Sequence, residues 1–596
     1  MKDRQNTHKL LGVLAMSLAL LSSCGGTPTG NNSQGGGGGG GGEVVLPDFP
    51  KTPADKDSWE YLKKEDGSVE DWTIDWYVND SSFSWNTYGS DAVSRVIKEK
   101  TGVEIHFTSP VTDDGQKLAT LISGDVLPDL LSVQCWYPQC AQLASQGYLY
   151  PLDPLIDKWA PSFKPRIQED MWKYFQQGDG YTYGVPNFAY STKYISDSEK
   201  LQPNGGLLVR EDWYKEVEAA GIDMTTPDGF IAGCEYVKAK HSGSIPFQIG
   251  PFTTDGNTSL DWLSQYFCCE FEDGSGNYVE RRRTDNYADM MKFLNECYSK
   301  KLITTANLSD KADQIRTKIS RGNVFASIVT PQDYQVAFQN CYSQGVTYIP
   351  LVLHNYKGQA PILQDISGNG YLLTMVSKKC SRPDKVIKLL DFLYSEEGQR
   401  LVAFGIEGET YNWNADKTGI EWTPRYLSGI QNPGSADANW VASYGLYNMT
   451  LLMNLAYIEK LKPTNGMRDT DLYIDNIKRP LTPYSYNYKP IFLKHNTDDP
   501  KYFDIMTKNT KIAQKWSESL VKIMQASNYK SVLNSSLAYA KRQGLDEVVE
   551  FYSKSYQNTK SVLGVEWGWP ANRPGYTEPT TGRNGDFSYW RVLTHE

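Results

Sequence analysis

Histidine is scarce in this sequence, with six in 596 residues, and no Cys/His spacing of the zinc-binding kind occurs. Zinc ligation and a His-centred nucleophilic triad are therefore poor expectations. Cationic charge is also short. Sixty Lys and Arg stand against seventy Asp and Glu, a formal net charge of −10. A chain of that sign lacks the electrostatic footprint that phosphate backbones demand, which argues against nucleic acid as a partner. Beyond the N-terminus no apolar run approaches the ~20 residues that span a bilayer, so the body reads as soluble. No spacing marks a pair of carboxylates for acid/base work, because seventy acidic residues form such pairs by chance. No cofactor is expected.

What the sequence does have begins at its N-terminus. Lys2, Arg4 and Lys9 precede an apolar run from Leu10 to Leu21. A run of that length suits a signal-peptide core and is too short to cross a membrane. It ends in Leu21-Ser-Ser-Cys24, which resembles the lipobox of bacterial lipoproteins. That resemblance implies lipidation of Cys24 and loss of residues 1–23, which carry three cationic and one acidic side chain and so leave a body of net charge −12. Gly25 to Gly42 is rich in Gly, Asn, Ser and Thr and closes with eight glycines. Such a stretch buries too little to offset its ordering entropy. Residues 24–69 read as a tether whose r.m.s. span is ~35–40 Å, at 5–6 Å times the square root of length. Eight further cysteines, an even number, would lie in an oxidising compartment where disulfides are permitted. A body this large does not need them, and buried free thiols are the simpler reading.

The body opens with an alternation of element types. Trp72 to Val78 is rich in aromatic and β-branched residues and reads as a strand. Ala92, Val93, Val96 and Ile97 share a helical face that begins after Ser90, and Gly102 stands where a helix ends. Val103, Ile105 and Phe107 alternate as a strand. Leu118, Leu121 and Ile122 mark a second helix, and Asp129 to Val133 a third strand. Strand–helix–strand–helix–strand with short connections implies a parallel sheet with right-handed crossovers. Ligands of such open sheets bind beyond the carboxyl ends of the strands, here at Asn79–Ser82 and Gln134–Tyr137.

Several segments, taken in order, resemble the extracellular solute-binding lipoproteins of carbohydrate ABC importers. They are Ser123-Gly-Asp-Val-Leu-Pro-Asp129, Tyr181 to Pro186, Leu208 to Trp213 and Tyr298 to Ala326. The most specific is Lys385 to Tyr411, with Tyr394-Ser-Glu-Glu-Gly-Gln399 and Gly405-Ile-Glu-Gly-Glu-Thr-Tyr411. The resemblance spans roughly residues 70 to 556. It implies an α/β fold, a two-lobed periplasmic-binding-protein-like clamshell. Each lobe would be a mostly parallel sheet flanked by helices, with a hinge between. Chain crossings are expected near 186–190, 347–350 and 410. Lobe 1 would then comprise 70–187 and 348–410, and lobe 2 188–347 and 411–560. Residues 561–596 form a C-terminal extension without an assigned role. Where many relatives carry a calcium loop, Lys240-His-Ser-Gly-Ser-Ile-Pro246 lacks the oxygen ligands, so no metal is expected.

A saccharide cleft requires aromatic platforms and planar polar groups, and 39 Tyr, 20 Phe and 16 Trp provide a surplus of rings. The candidates at predicted strand ends and crossings are Asp80, Trp85, Gln134, Trp136, Tyr190, Trp262, Asp333, Trp413 and Trp440. A tryptophan in such a chain is more often core than platform, and Asp333 could equally cap a helix. The family resemblance implies a monomeric, non-enzymatic receptor, held at the outer face of the cell membrane by its lipid anchor alone. It would deliver an oligosaccharide to ABC permease subunits in a Gram-positive type of cell. An oligopeptide-binding protein of similar architecture is the alternative, and a surface glycoside hydrolase a more distant one.

Overall fold

The computed structural model describes residues 44–579, apart from 113–114, 192–200, 251–257, 367, 433, 462, 464, 466–468, 488 and 498. These residues lie in the compact unit that starts at Val44. The signal segment, Cys24 and the glycine tether fall outside them. Among the described residues no helix is long and apolar enough to cross a membrane.

The elements that frame the molecule are β1 (Trp72–Val78), α1 (Ala92–Thr101), β2 (Val103–Thr108), α2 (Gln116–Ser123), β3 (Leu130–Gln134), α3 (Glu169–Phe175) and β4 (Gly184–Pro186). There follow β5 (Gly206–Arg210), β6 (Ile245–Gln248), β7 (Val324–Val329), β8 (Tyr348–Pro350) and β9 (Leu372–Val376). The helices α4 (Pro383–Tyr394), α5 (Tyr502–Gln525) and α6 (Leu545–Leu563) complete the frame. Helix α1 is capped by Asp91, one residue after Ser90, whose carboxylate accepts from the Ser94 N–H at 2.8 Å. It ends at Gly102 with φ 72°, and a Cβ there would stand 2.2 Å from the Glu70 carbonyl oxygen. Only glycine satisfies both the left-handed backbone and that close approach.

Two sheets organise the fold. The first has the order β2-β1-β3-β9-β4, with β1 parallel to β2 and β3, and β9 antiparallel to β3 and β4. The second has the order β6-β7-β5-β8, with β6 and β7 parallel and β5 antiparallel to β7 and β8. Strand period 2 explains how the first sheet is covered on both faces. Ile74, Trp76 and Val78 enter one hydrophobic core, with Leu130, Leu372, Val376 and the α4 side chains Ile387 and Leu390. Tyr77, Leu131, Val133, Leu373 and Met375 enter another. The second sheet packs into a larger core that includes Val209, Phe247, Ile328 and Ile349.

The chain moves between the sheets more than once, and the first crossing falls where expected. It leaves the first after β4 and reaches the second at β5, between Pro186 and Gly206. Its return falls between Pro350 and Leu372, not at 347–350, because Tyr348–Pro350 is itself a strand of the second sheet. Residues 411–453 do not join the second lobe. Met449, Leu451 and Leu452 are buried in the first core, and Tyr411 and Met453 pack with Phe404. Among the described residues the chain next joins the second core at Tyr473, Ile474, Ile477, Leu481 and Tyr484, and α5 extends it through Trp516, Leu520 and Ile523. The described part of the C-terminal extension packs in a separate cluster with Phe271, Ile362 and Tyr556, beside Glu272.

Glu272 is a buried carboxylate met by several donors. The Tyr556 hydroxyl (2.6 Å), the Lys560 ammonium (3.1 Å), the N–H groups of Gly568 (2.9 Å) and Trp569 (3.1 Å), and Asn572 Nδ2 (3.1 Å) all reach it. Burial by itself would raise its pKa. The bonds from Tyr556, Gly568, Asn572 and Trp569 outweigh that and hold it below the usual carboxylate value.

Candidate functional site

The carboxyl ends of β1 and β3 and the start of β9 lie at one edge of the first sheet, as their pairing requires. Asn79, just past β1, is buried. It accepts from the Tyr77 hydroxyl at 2.6 Å and donates to Gln134 Oε1 at 2.7 Å. Gln134 is thereby tied into the sheet edge and is itself buried. Asp80 acts on a neighbour. Its Oδ2 accepts from the Tyr371 hydroxyl at 2.7 Å, while its Oδ1 accepts from Ser82 N–H and Oγ–H at 2.8 and 2.6 Å. The Tyr371 ring in turn lies 5.4 Å from that of Trp136, at 48°. Trp136 is 61% exposed. A carboxylate, a phenol and an indole thus build an aromatic wall at the strand ends.

That wall faces a cavity of about 1060 Å³. Its lining draws on the first sheet edge (Trp136, Tyr371), on the end of α3 (Tyr174) and on a segment before α5 (Phe492, His495). Asn204 and Gln364 of the second lobe and the α6 face at Phe551 and Ser555 also contribute. Phe492 is 38% exposed. Burial pushes the His495 pKa down to about 4 and keeps its ring neutral, with Nδ1 2.9 Å from Ser555 Oγ. Burial also pushes Lys494 down to about 8. Lys489, fully buried below the same segment, is likewise pushed down to about 8 by burial, with Asp170 and Asp365 acting in the opposite direction.

The other sequence candidates lie elsewhere. Trp85 is buried in the first core, donates from Nε1 to Asp91 Oδ2 at 2.6 Å and stacks near Phe107. Trp262 is buried in the second core, and a Cβ on Gly205 would stand 2.5 Å from its ring. Tyr190 is buried beside the first crossing, and its N–H donates to the Gly368 carbonyl at 3.0 Å. Trp85 and Trp262 thus pack among apolar neighbours in the two cores. Trp413 lies under Arg400 at 5.3 Å and Trp440 under Arg425 at 4.2 Å, neither at the cavity. Asp333 follows β7 in an exposed turn, where its carbonyl accepts from Arg316 Nε at 3.2 Å. Sequence reasoning missed Tyr371, Tyr174, Phe492 and His495. Tyr371 directly precedes β9, and Lys489 to His495 has no period that could have singled out Phe492.

A family model for bacterial extracellular solute-binding proteins matches residues 93–406, just over half of the sequence. The chain belongs to that family. Among curated relatives, the fructooligosaccharide ABC transporter substrate-binding protein FusA of Streptococcus pneumoniae serotype 4 is 25% identical over 231 residues. That match covers 35% of this chain and 40% of the relative's length. Among solved structures, S. pneumoniae FusA in complex with kestose superposes with a TM-score of 0.65 at 18% identity, over 82% of this chain and 100% of that one. An HMO-binding, ABC-transporter-associated solute-binding protein from Bifidobacterium longum infantis gives a TM-score of 0.57 at 15% identity, over 82% and 99%. At these identities the structural likenesses establish the two-lobed fold.

Proposed function

We propose that this solute-binding protein is the lipid-anchored receptor of an ABC importer, and that it captures an oligosaccharide in the cavity at Trp136 and delivers it to a membrane permease. The observation that carries the reading is the exposed Trp136 ring, backed by Tyr371, on the wall of a cavity of about 1060 Å³. An indole left in water at a strand-end wall suits the flat C–H face of a sugar ring better than it suits a core. The volume is at the top of the ~300–1,000 Å³ typical of ligand sites, which leaves room for several sugar rings. FusA and the Bifidobacterium protein are described as fructooligosaccharide- and HMO-binding, which supports the same solute class here. The protein acts by binding and not by catalysis.

In this reading the lobes meet across the cavity and close on the solute by hinge motion. Lobe 1 comprises 70–187 with about 372–460, and lobe 2 comprises 188 to about 365 with about 470–579. Cys24 carries the lipid, the glycine tether gives reach to a permease in the same membrane, and the monomer works at the outer face of a Gram-positive type of cell. Calorimetry of the purified protein against a panel of oligosaccharides and peptides tests the solute class. Heat from at least one oligosaccharide is expected; a response to peptides alone would sink it. Mass spectrometry of the protein extracted from its native membrane tests the anchor, with a diacylated Cys24 as the expected N-terminal residue.

A further inference from the structure

Phe492, Lys494 and His495 line the cavity, yet they lie outside residues 93–406 that the family model matches. The segment that carries them is fastened on two sides. Toward the first lobe, the Lys494 ammonium donates to the carbonyl oxygens of Tyr174, at 2.7 Å, and Gln176. Those carbonyls belong to the end of α3, where a helix leaves its last acceptors without partners of its own. The Tyr174 hydroxyl donates to the Phe492 carbonyl at 2.8 Å. Toward α6, the Lys494 N–H donates to Thr559 Oγ1 at 2.7 Å, and Asn558 Nδ2 donates to the Lys494 carbonyl at 3.2 Å.

An exposed phenylalanine is by itself ordinary. This one sits on backbone held from both sides, and its ring shares the cavity with Trp136. A ring whose position is set before any ligand arrives loses little freedom when one stacks on it. We propose that Phe492 is a second stacking platform for the oligosaccharide and that Lys494 is the positioning residue that holds it in place. The inference rests on the oligosaccharide reading above. Its chemistry is complementary: the ammonium satisfies helix-end carbonyls without a carboxylate, so its role is to order the wall and not to bind an anion.

The test is calorimetry of the protein with a panel of neutral oligosaccharides graded in length. It compares the wild type with Phe492→Ala, Lys494→Met, their double variant and Lys494→Arg, each first checked for an unchanged far-ultraviolet spectrum. Phe492→Ala is expected to bind about tenfold more weakly, the scale of one lost aromatic contact. Lys494→Met should lose a similar factor, and the double variant no more than Phe492→Ala alone, because the lysine acts through the ring. Lys494→Arg, which keeps the cation and its donors, should recover part of the affinity. Wild-type affinity in Phe492→Ala, with binding still lost in Trp136→Ala, overturns this inference and leaves the solute class standing. Additive losses in the double variant overturn the positioning role of Lys494. A wild type that binds no oligosaccharide overturns both readings.

Discussion

At the residue scale, the indole of Trp136 and the imidazole of His495 make contrasting predictions. The Trp136 ring is 61% exposed and touches Tyr371 alone among the ring pairs described. Trp136→Ala should therefore leave the melting temperature nearly unchanged while weakening oligosaccharide binding about tenfold; a large loss of stability would show the ring to be structural. His495 is the reverse case. Its folded pKa of about 4 lies below its ordinary 6.5, so the unfolded chain takes up a proton that the folded one refuses. The stability this supplies is complete above pH 6.5 and is lost as pH falls through 4. A shift of that size corresponds to about 3.5 kcal/mol at most, at ~1.4 kcal/mol per pH unit. His495→Gln should flatten the fall of melting temperature between pH 6.5 and 4, and an unchanged slope would contradict the burial of the ring. Trp136 was legible because it follows a strand whose end is predictable. Trp85 and Trp262 pack in the cores, a placement not legible beforehand because an indole at a predicted loop fits either a core or a cleft until its neighbours are known.

At the scale of elements, the described part of the C-terminal extension packs around Glu272 and Phe271. Gly568, Trp569 and Asn572 supply donors to the buried carboxylate of Glu272, and the Trp569 ring packs on Phe271 at 5.2 Å. Ending the chain after Gly564 would strip those donors and leave Glu272 and Lys560 partly uncompensated. The expected cost is on the order of 3–5 kcal/mol, the range for breaking a buried, hydrogen-bonded charge, read as a lower denaturant midpoint. A midpoint equal to that of the full chain would show the extension to be dispensable. The alternation of strands and helices from Trp72 to Val133 was readable because each short element obeys its own period. The return of Met449 to Leu452 to the first core was not, since that stretch lies between helices and carries no period to announce its partner.

For the whole molecule, the eight cysteines in the described residues are free, and seven of them are buried. Burial pushes their thiols up, Cys135 to about 12 and Cys341 to about 11, so thiolate is rare at neutral pH. A thiol reagent should label the native protein slowly and all eight sites once denaturant is added; fast labelling of the folded protein would contradict this packing. A bound oligosaccharide should also raise the melting temperature, because a ligand at a hundred times its Kd adds about 2.7 kcal/mol. The sequence alone determined the α/β class and the opening strand–helix order. These rest on local periodicity, length and composition, which need no distant partner. Tertiary structure alone decided where the chain changes lobes, which aromatic rings stay in water and which segments share a cavity. Trp136, Tyr371 and Phe492 are far apart in sequence, and only the packing of two sheets with the C-terminal helices brings them to the same wall.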